Sequence, residues 1–200
     1  MSKQLFLLLL FFGGIAQSQN YFYEDYQPFN EKVPSPETYL GYAIGEHHTR
    51  HDLIVSYFEE LAKSSDRATI KEYGRTHEGR KLVMLTVTSP NNFSDMENIK
   101  QQHLAFTNPA KSPDNYDEVP IFVNLGYNVH GNEASSSEAA LLVAYTLVAS
   151  QNPEVLNYLD NAIIFIDPTI NPDGRDRHTQ WANTYQGHPE VADPQDAEHN

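Results

Sequence analysis

Apolar residues along this chain change their spacing from stretch to stretch, and the spacing decides what each stretch can form. From Asp52 to Lys63, Ile54, Tyr57, Phe58 and Leu61 fall at i, i+3, i+4 and i+7, the period of a helix with one buried face. Thr49-Arg50-His51-Asp52 just before it resembles a capping box. The next stretch, TIKEYGRTHEGRKLVMLTVTS, alternates apolar and polar residues on either side of Glu78-Gly79, which predicts a hairpin. Ser94-Asp95-Met96-Glu97 predicts the start of a short capped helix, and NPAKSPDNYDEVP reads as a loop. Beyond it the pattern predicts a near-continuous apolar strand over Pro120–Leu125 and a helix over about Ala134–Ser150. A helix capped by Asn152-Pro153 and a buried strand over Ala162–Ile166 follow. A strand, a helical crossover and a second strand buried on both faces describe a parallel pair in an α/β sheet.

The ends of the chain read differently. MSKQLFLLLLFFGGIAQS has a basic start at Lys3, an apolar run Leu5–Phe12 and a small-residue exit at Ala16-Gln17-Ser18. That run is shorter than the ~20 residues needed to span a bilayer, so residues 1–18 are expected to be a cleaved export signal, leaving no stable membrane anchor. Residues 19–39 mix Tyr and Phe with acids and prolines and read as an extended leader before a domain over 40–200. The expected location is secreted or periplasmic. Export permits disulfides, yet the chain has no cysteine, so it must rely on its core or on a bound metal. With 40% hydrophobic residues, one substantial core is available. The formal charge of −14 argues against nucleic acid as a partner, because phosphate binding needs clustered Lys and Arg.

Both apolar strands end in polar, glycine-bearing segments, GYNVHGNE and DPTINPDGRDR, and in open α/β sheets ligands bind beyond the carboxyl ends of strands. His130 and Glu133, three residues apart around Gly131, can converge on one divalent metal, for which zinc is the favoured ion. In H-E-x-x-H sites the Glu acts as base between two ligands; here no second His follows, and Glu133 is better cast as a ligand. Spacing alone leaves a second reading open, in which His130 ends a strand and Glu133 complements the dipole of the following helix.

Three segments together resemble the zinc carboxypeptidase family of the carboxypeptidase A and B type: YGRTHEGRKLVMLTVTS, LGYNVHGNEASSSEA and IIFIDPTINPDGRDR, in the family's order. The resemblance implies an α/β fold with a mixed, largely parallel sheet and helices on both faces, incomplete at the C-terminus. It implies one zinc ion held by His130 and Glu133, with a third ligand and a glutamate general base expected beyond residue 200. The implied activity is hydrolysis of the C-terminal peptide bond, with a peptide or protein C-terminus as substrate. Arg175 and Arg177 are the candidates for binding it, although they lie closer to the N-P-D-G turn than the family's polarising arginine usually does. Trp181 resembles a family tryptophan, but Ala182 follows where arginine is expected. The 200 residues alone are therefore expected to be inactive.

Other residues invite competing readings. Asn171-Pro172-Asp173-Gly174 is expected to be a structural turn. The histidine cluster Glu46–His51 reads as a solvated helix entrance, the serines of ASSSEAA as small packing residues, and Glu138 as a surface or supporting group. His178, His188 and His199 are possible substitute ligands, though none follows a buried strand. HGNE also resembles zinc deacylases of the aspartoacylase and succinylglutamate desuccinylase type, and a non-enzymatic rival is a carboxypeptidase-like module that only binds peptides.

Overall fold

The computed structural model describes residues 21–108, 110 and 118–184; the expected signal at 1–18, most of the loop at 108–120, His188 and His199 lie outside them. The first helices are α1 (Pro36–Leu40) and α2 (His51–Ser64). Helix α2 buries Ile54, Tyr57, Phe58 and Leu61, the face its periodicity predicts. Each such side chain contributes about 1.5–3 kcal/mol of transfer free energy. The start of α2 departs from the capping-box expectation. Arg50 is its N-cap and makes no side-chain cap bond, while the Thr49 hydroxyl donates instead to Glu138 Oε2 at 2.8 Å. A buried carboxylate from a distant helix outcompetes the local backbone.

Strands β1 (Ala68–Arg75) and β2 (Lys81–Val87) form the expected antiparallel hairpin, with Gly79 at φ +82° in its turn. Strand β2 pairs antiparallel with β4 (Ala162–Asp167), which pairs parallel with β3 (Ile121–Gly126), giving the order β1-β2-β4-β3. The predicted parallel pair is therefore β3–β4, and the other two pairings of this mixed sheet are antiparallel. Leu85, Val87, Ile164 and Ile166 share one core with α2 and with Ala140, Leu141, Ala144 and Val148 of α5 (Ala134–Ala149). On the other face His103, from α4 (Met96–Phe106), stacks on Phe122 at 4.2 Å, and Phe122 meets Phe165. Helices thus cover both faces. Strands β1 and β3 are the edges among the described strands, and Ile121 and Phe122 are exposed on β3.

Helix starts follow local chemistry at several places, but α4 departs from its expected capping box: its N-cap Asp95 makes no side-chain cap bond, and the Ser94 hydroxyl donates back to Pro90 O at 3.0 Å. Helix α6 (Pro153–Asn161) is capped as expected, the Asn152 side chain accepting from Glu154 N at 2.8 Å. Ser89 caps an unanticipated short helix, α3 (Pro90–Ser94). Asn171-Pro172-Asp173-Gly174, expected as a plain turn, opens helix α7 (Pro172–Thr184). Asn171 Oδ1 accepts from Gly174 N at 3.0 Å, with proline at the first helical position. The leader segment crosses the far end of α5: Asn30 N donates to Ala149 O, Ser150 Oγ to Tyr26 O, and the Tyr23, Phe29 and Tyr145 rings cluster.

His51 is buried at 4% exposure rather than solvated, its Nε2–H donating to Lys81 O at 2.8 Å and its Nδ1 left without a partner. Burial holds its pKa below the ordinary histidine value. Below about pH 6.5 the unfolded chain therefore binds more protons than the folded one, so this contribution is full above that pH and is lost as pH falls. Burial shifts His48 and His178 the same way, whereas it raises Asp167, which acts oppositely. The unfolding midpoint is expected to fall from about pH 7.5 to about pH 5.5, and less steeply in His51→Gln. Parallel slopes for the two proteins would remove His51 as the cause.

Candidate metal centre

The parallel strands β3 and β4 end on the same side of the sheet, and the chain continues their pairing into the two loops that follow. Tyr127 N donates to Asp167 O, Ile170 N to Tyr127 O and Asn171 N to Asn128 O, at 3.0, 2.9 and 3.1 Å. The loops come close together at two glycines. A Cβ placed on Gly131 would lie 1.9 Å from the Gly174 carbonyl oxygen, so only glycine lets the loops meet there. Below them, Asp167 is buried and accepts from the Tyr73 hydroxyl and from Thr169 N.

His130 and Glu133 stand at the outer tip of the first loop. Their side chains are 75% and 41% exposed, and His130 Nδ1 lies 2.8 Å from Glu133 Oε1. Glu133 occupies the N-cap position of α5, yet its side chain makes no cap bond. It turns back instead, its Oε2 accepting from His130 N at 3.1 Å. The hydrogen bonds from His130 hold its carboxyl below the usual range, so it is ionised at neutral pH. The structure thus brings the two groups together, and the carboxylate serves His130 rather than the helix terminus. Among the described residues no third histidine or carboxylate joins them to complete a metal-binding group.

The other expected site residues separate. Arg175, expected to grip substrate, is fully buried: its guanidinium donates to Glu138 Oε1 (2.5 Å), Thr49 O (3.0 Å) and Ala134 O (3.1 Å). All three nitrogens are engaged in the interior. Glu138, expected at the surface or in a supporting place, is buried as its ion partner. Arg177 is exposed and lines a polar cleft of about 430 Å³ with Arg80, Asp173, Asp176 and Trp181. His178, on α7, lies beside His48, with ring centroids 5.0 Å apart, and forms no metal-binding group with His130 and Glu133.

One connection escaped sequence reasoning. Asp173 accepts from Thr76 Oγ1 and Arg80 Nη1, both at 2.7 Å, and from Glu78 N, while Arg80 Nε reaches Asp176 at 2.6 Å. The hairpin turn and the N-P-D-G segment are therefore one ion-paired unit. The available signal was the placing of Arg80 and Asp173 in two turns that each carry charge at a glycine, but their adjacency depends on the sheet order.

The zinc carboxypeptidase family profile matches residues 54–200. Carboxypeptidase Z of Mus musculus and of Rattus norvegicus are each 26% identical over 149 residues, covering 72% of this chain and 19% of theirs. The chain thus spans about a fifth of the length of these curated relatives. Among solved structures, carboxypeptidase A from Helicoverpa armigera is similar at 19% identity and a TM-score of 0.46, covering 70% of this chain and 28% of that one. Thrombin activatable fibrinolysis inhibitor is similar at 17% identity and a TM-score of 0.47, covering 78% and 31%. With a profile match extending over most of its residues, this chain belongs to the zinc carboxypeptidase family.

Proposed function

We propose that this chain carries the metal-binding edge of a zinc metallocarboxypeptidase that removes the C-terminal residue of peptides or proteins, with His130 and Glu133 as two of the zinc ligands. The observation that carries the reading is the convergence of His130 Nδ1 and Glu133 Oε1 at an exposed strand end. The donor set fits zinc. An imidazole nitrogen and an ionised carboxylate are both zinc-ligand types, and His130 Nδ1 and Glu133 Oε1 would hold the ion between them. When bound, zinc polarises a carbonyl and lowers the pKa of its water towards neutrality.

The chain's own residues prepare this. His130 Nδ1 faces Glu133 Oε1, and to hold zinc there the neutral imidazole would carry its single N–H on Nε2, leaving the Nδ1 lone pair for the ion. Glu133 stays oriented through Oε2 and the His130 N–H, leaving Oε1 for the ion. Arg177 remains the candidate for a substrate carboxylate, and Arg175 supports the site from the interior. In this reading the third ligand and the general base belong to residues beyond 200, and the 200 residues alone are inactive. The same reading takes residues 1–18 as an export signal and 19–39 as a leader. It places the protein outside the cytoplasm; among the described residues no helix is long and apolar enough to cross a membrane.

Zinc titration tests it. His130→Ala and Glu133→Gln are each expected to weaken zinc binding by at least about 10-fold relative to wild type. Unchanged affinity in both variants would move the metal elsewhere.

A further inference from the structure

We propose that Asn128 is the positioning residue of the metal pair, its side-chain amide fixing the separation of His130 and Glu133 from inside the turn. The inference rests on the zinc reading above and goes beyond it by naming what holds the two ligands. Asn128 is 1% exposed, so it meets no substrate. Its Nδ2 donates to His130 O at 3.1 Å and to Glu133 O at 3.2 Å, the carbonyls of both candidate ligands. Because both partners only accept, the NH₂ group must face them. Its backbone N–H donates to Ser136 Oγ at 2.7 Å, and its carbonyl accepts from Asn171 N at 3.1 Å. One residue thereby ties the ligand turn to the first turn of α5 and to the segment leading into α7.

Two features show that the amide is there for its donors. Asn128 has φ 55°, a left-handed conformation that glycine adopts at lower cost. Its Oδ1 is buried without a partner, a cost that glycine would also avoid. The two hydrogen bonds from Nδ2 are what asparagine adds. Aspartate would set a carboxylate against the same two carbonyls. The ligand side chains are largely exposed, so packing does little to restrain them, and the backbone beneath sets where they begin.

The test compares the full 200-residue chain with Asn128→Gly, Asn128→Asp and the control His130→Ala. Zinc affinity is measured by competition with a chromophoric chelator, and the unfolding midpoint with and without zinc. Asn128→Gly is expected to bind zinc about 10–100-fold more weakly than wild type. The zinc-induced rise in its midpoint, taken from its own zinc-free value, should shrink accordingly. Asn128→Asp keeps the size of the side chain and its tolerance of the left-handed region while removing both donors; it should show the same loss, and it serves if the glycine variant unfolds. A purely structural role would lower the zinc-free midpoint and leave the zinc-induced rise as in wild type, which would overturn the proposal. Wild-type binding no tighter than His130→Ala would overturn the zinc reading and this inference with it. Wild-type affinity in the Asn128 variants, with His130→Ala impaired, would overturn the positioning role alone.

Discussion

Glu138→Ala is expected to destabilise the protein by about 3–5 kcal/mol, because it leaves the Arg175 guanidinium charged and without its counter-ion. Arg175 is completely buried, and burial already pulls its pKa below the ordinary arginine value, opposed by the nearby Glu138 carboxylate. Glu138 also accepts from Thr49 N and Thr49 Oγ1, both at 2.8 Å, so its loss frees two further buried donors. The pair itself is not expected to be a large net source of stability, since desolvating two charges offsets most of their attraction. Glu138→Ala with Arg175→Met should therefore recover much of what the single change loses. Urea unfolding of the single and double variants checks this, and a single variant within about 1 kcal/mol of wild type would show that water or another carboxylate reaches Arg175. The consequence extends to the metal centre. Arg175 Nη1 holds the carbonyl of Ala134, the residue after Glu133, so the variant should also loosen the start of α5.

These residues show which parts of the molecule local sequence discloses. Ile54, Tyr57, Phe58 and Leu61 announce α2 because the helical period and the buried face are both local properties. Asn152 announces α6 because its side chain bonds a backbone N–H two residues on. Thr49 has the same chemistry, but Glu138 lies 89 positions away and takes its hydroxyl, which no window around Thr49 reveals. Arg175 read as a candidate for binding substrate because arginine is rarely buried, and its burial is intelligible only with Glu138 beside it. Helix α7 carries no apolar period, so only its Asn-Pro start was available, and that start also suits a turn. The meeting of His130 with Glu133 was legible because three residues and one glycine bring them together. The Arg80–Asp173 bond joins positions 93 apart, and it needed the pairing of β2 with β4 to exist first.

Gly131→Ala is expected to have the largest effect of any glycine substitution around the two loops. The added Cβ would stand 1.9 Å from the Gly174 oxygen, 2.0 Å from its carbonyl carbon and 2.6 Å from its Cα. Every obstacle is backbone, so no rotamer change relieves the contact. The loops must part, and the Asn171 N–Asn128 O bond between them is the first to lengthen. Overpacking of this kind costs about 1–3 kcal/mol and sometimes more. Two other glycines calibrate the expectation. At Gly126 the nearest atom is the flexible Ile170 Cδ1, at 2.7 Å, so a small side-chain shift suffices. At Gly79 there is open space but φ is +82°, which leaves only the left-handed penalty of about 1–2 kcal/mol. Urea midpoints should therefore fall most for Gly131→Ala, less for Gly79→Ala and least for Gly126→Ala. Zinc affinity separates them further, because only the first change moves the turn bearing His130 and Glu133 against α7. If Gly131→Ala matched wild type in both stability and zinc affinity, the two loops would not be clamped together, and the metal pair would owe its geometry to its own turn alone.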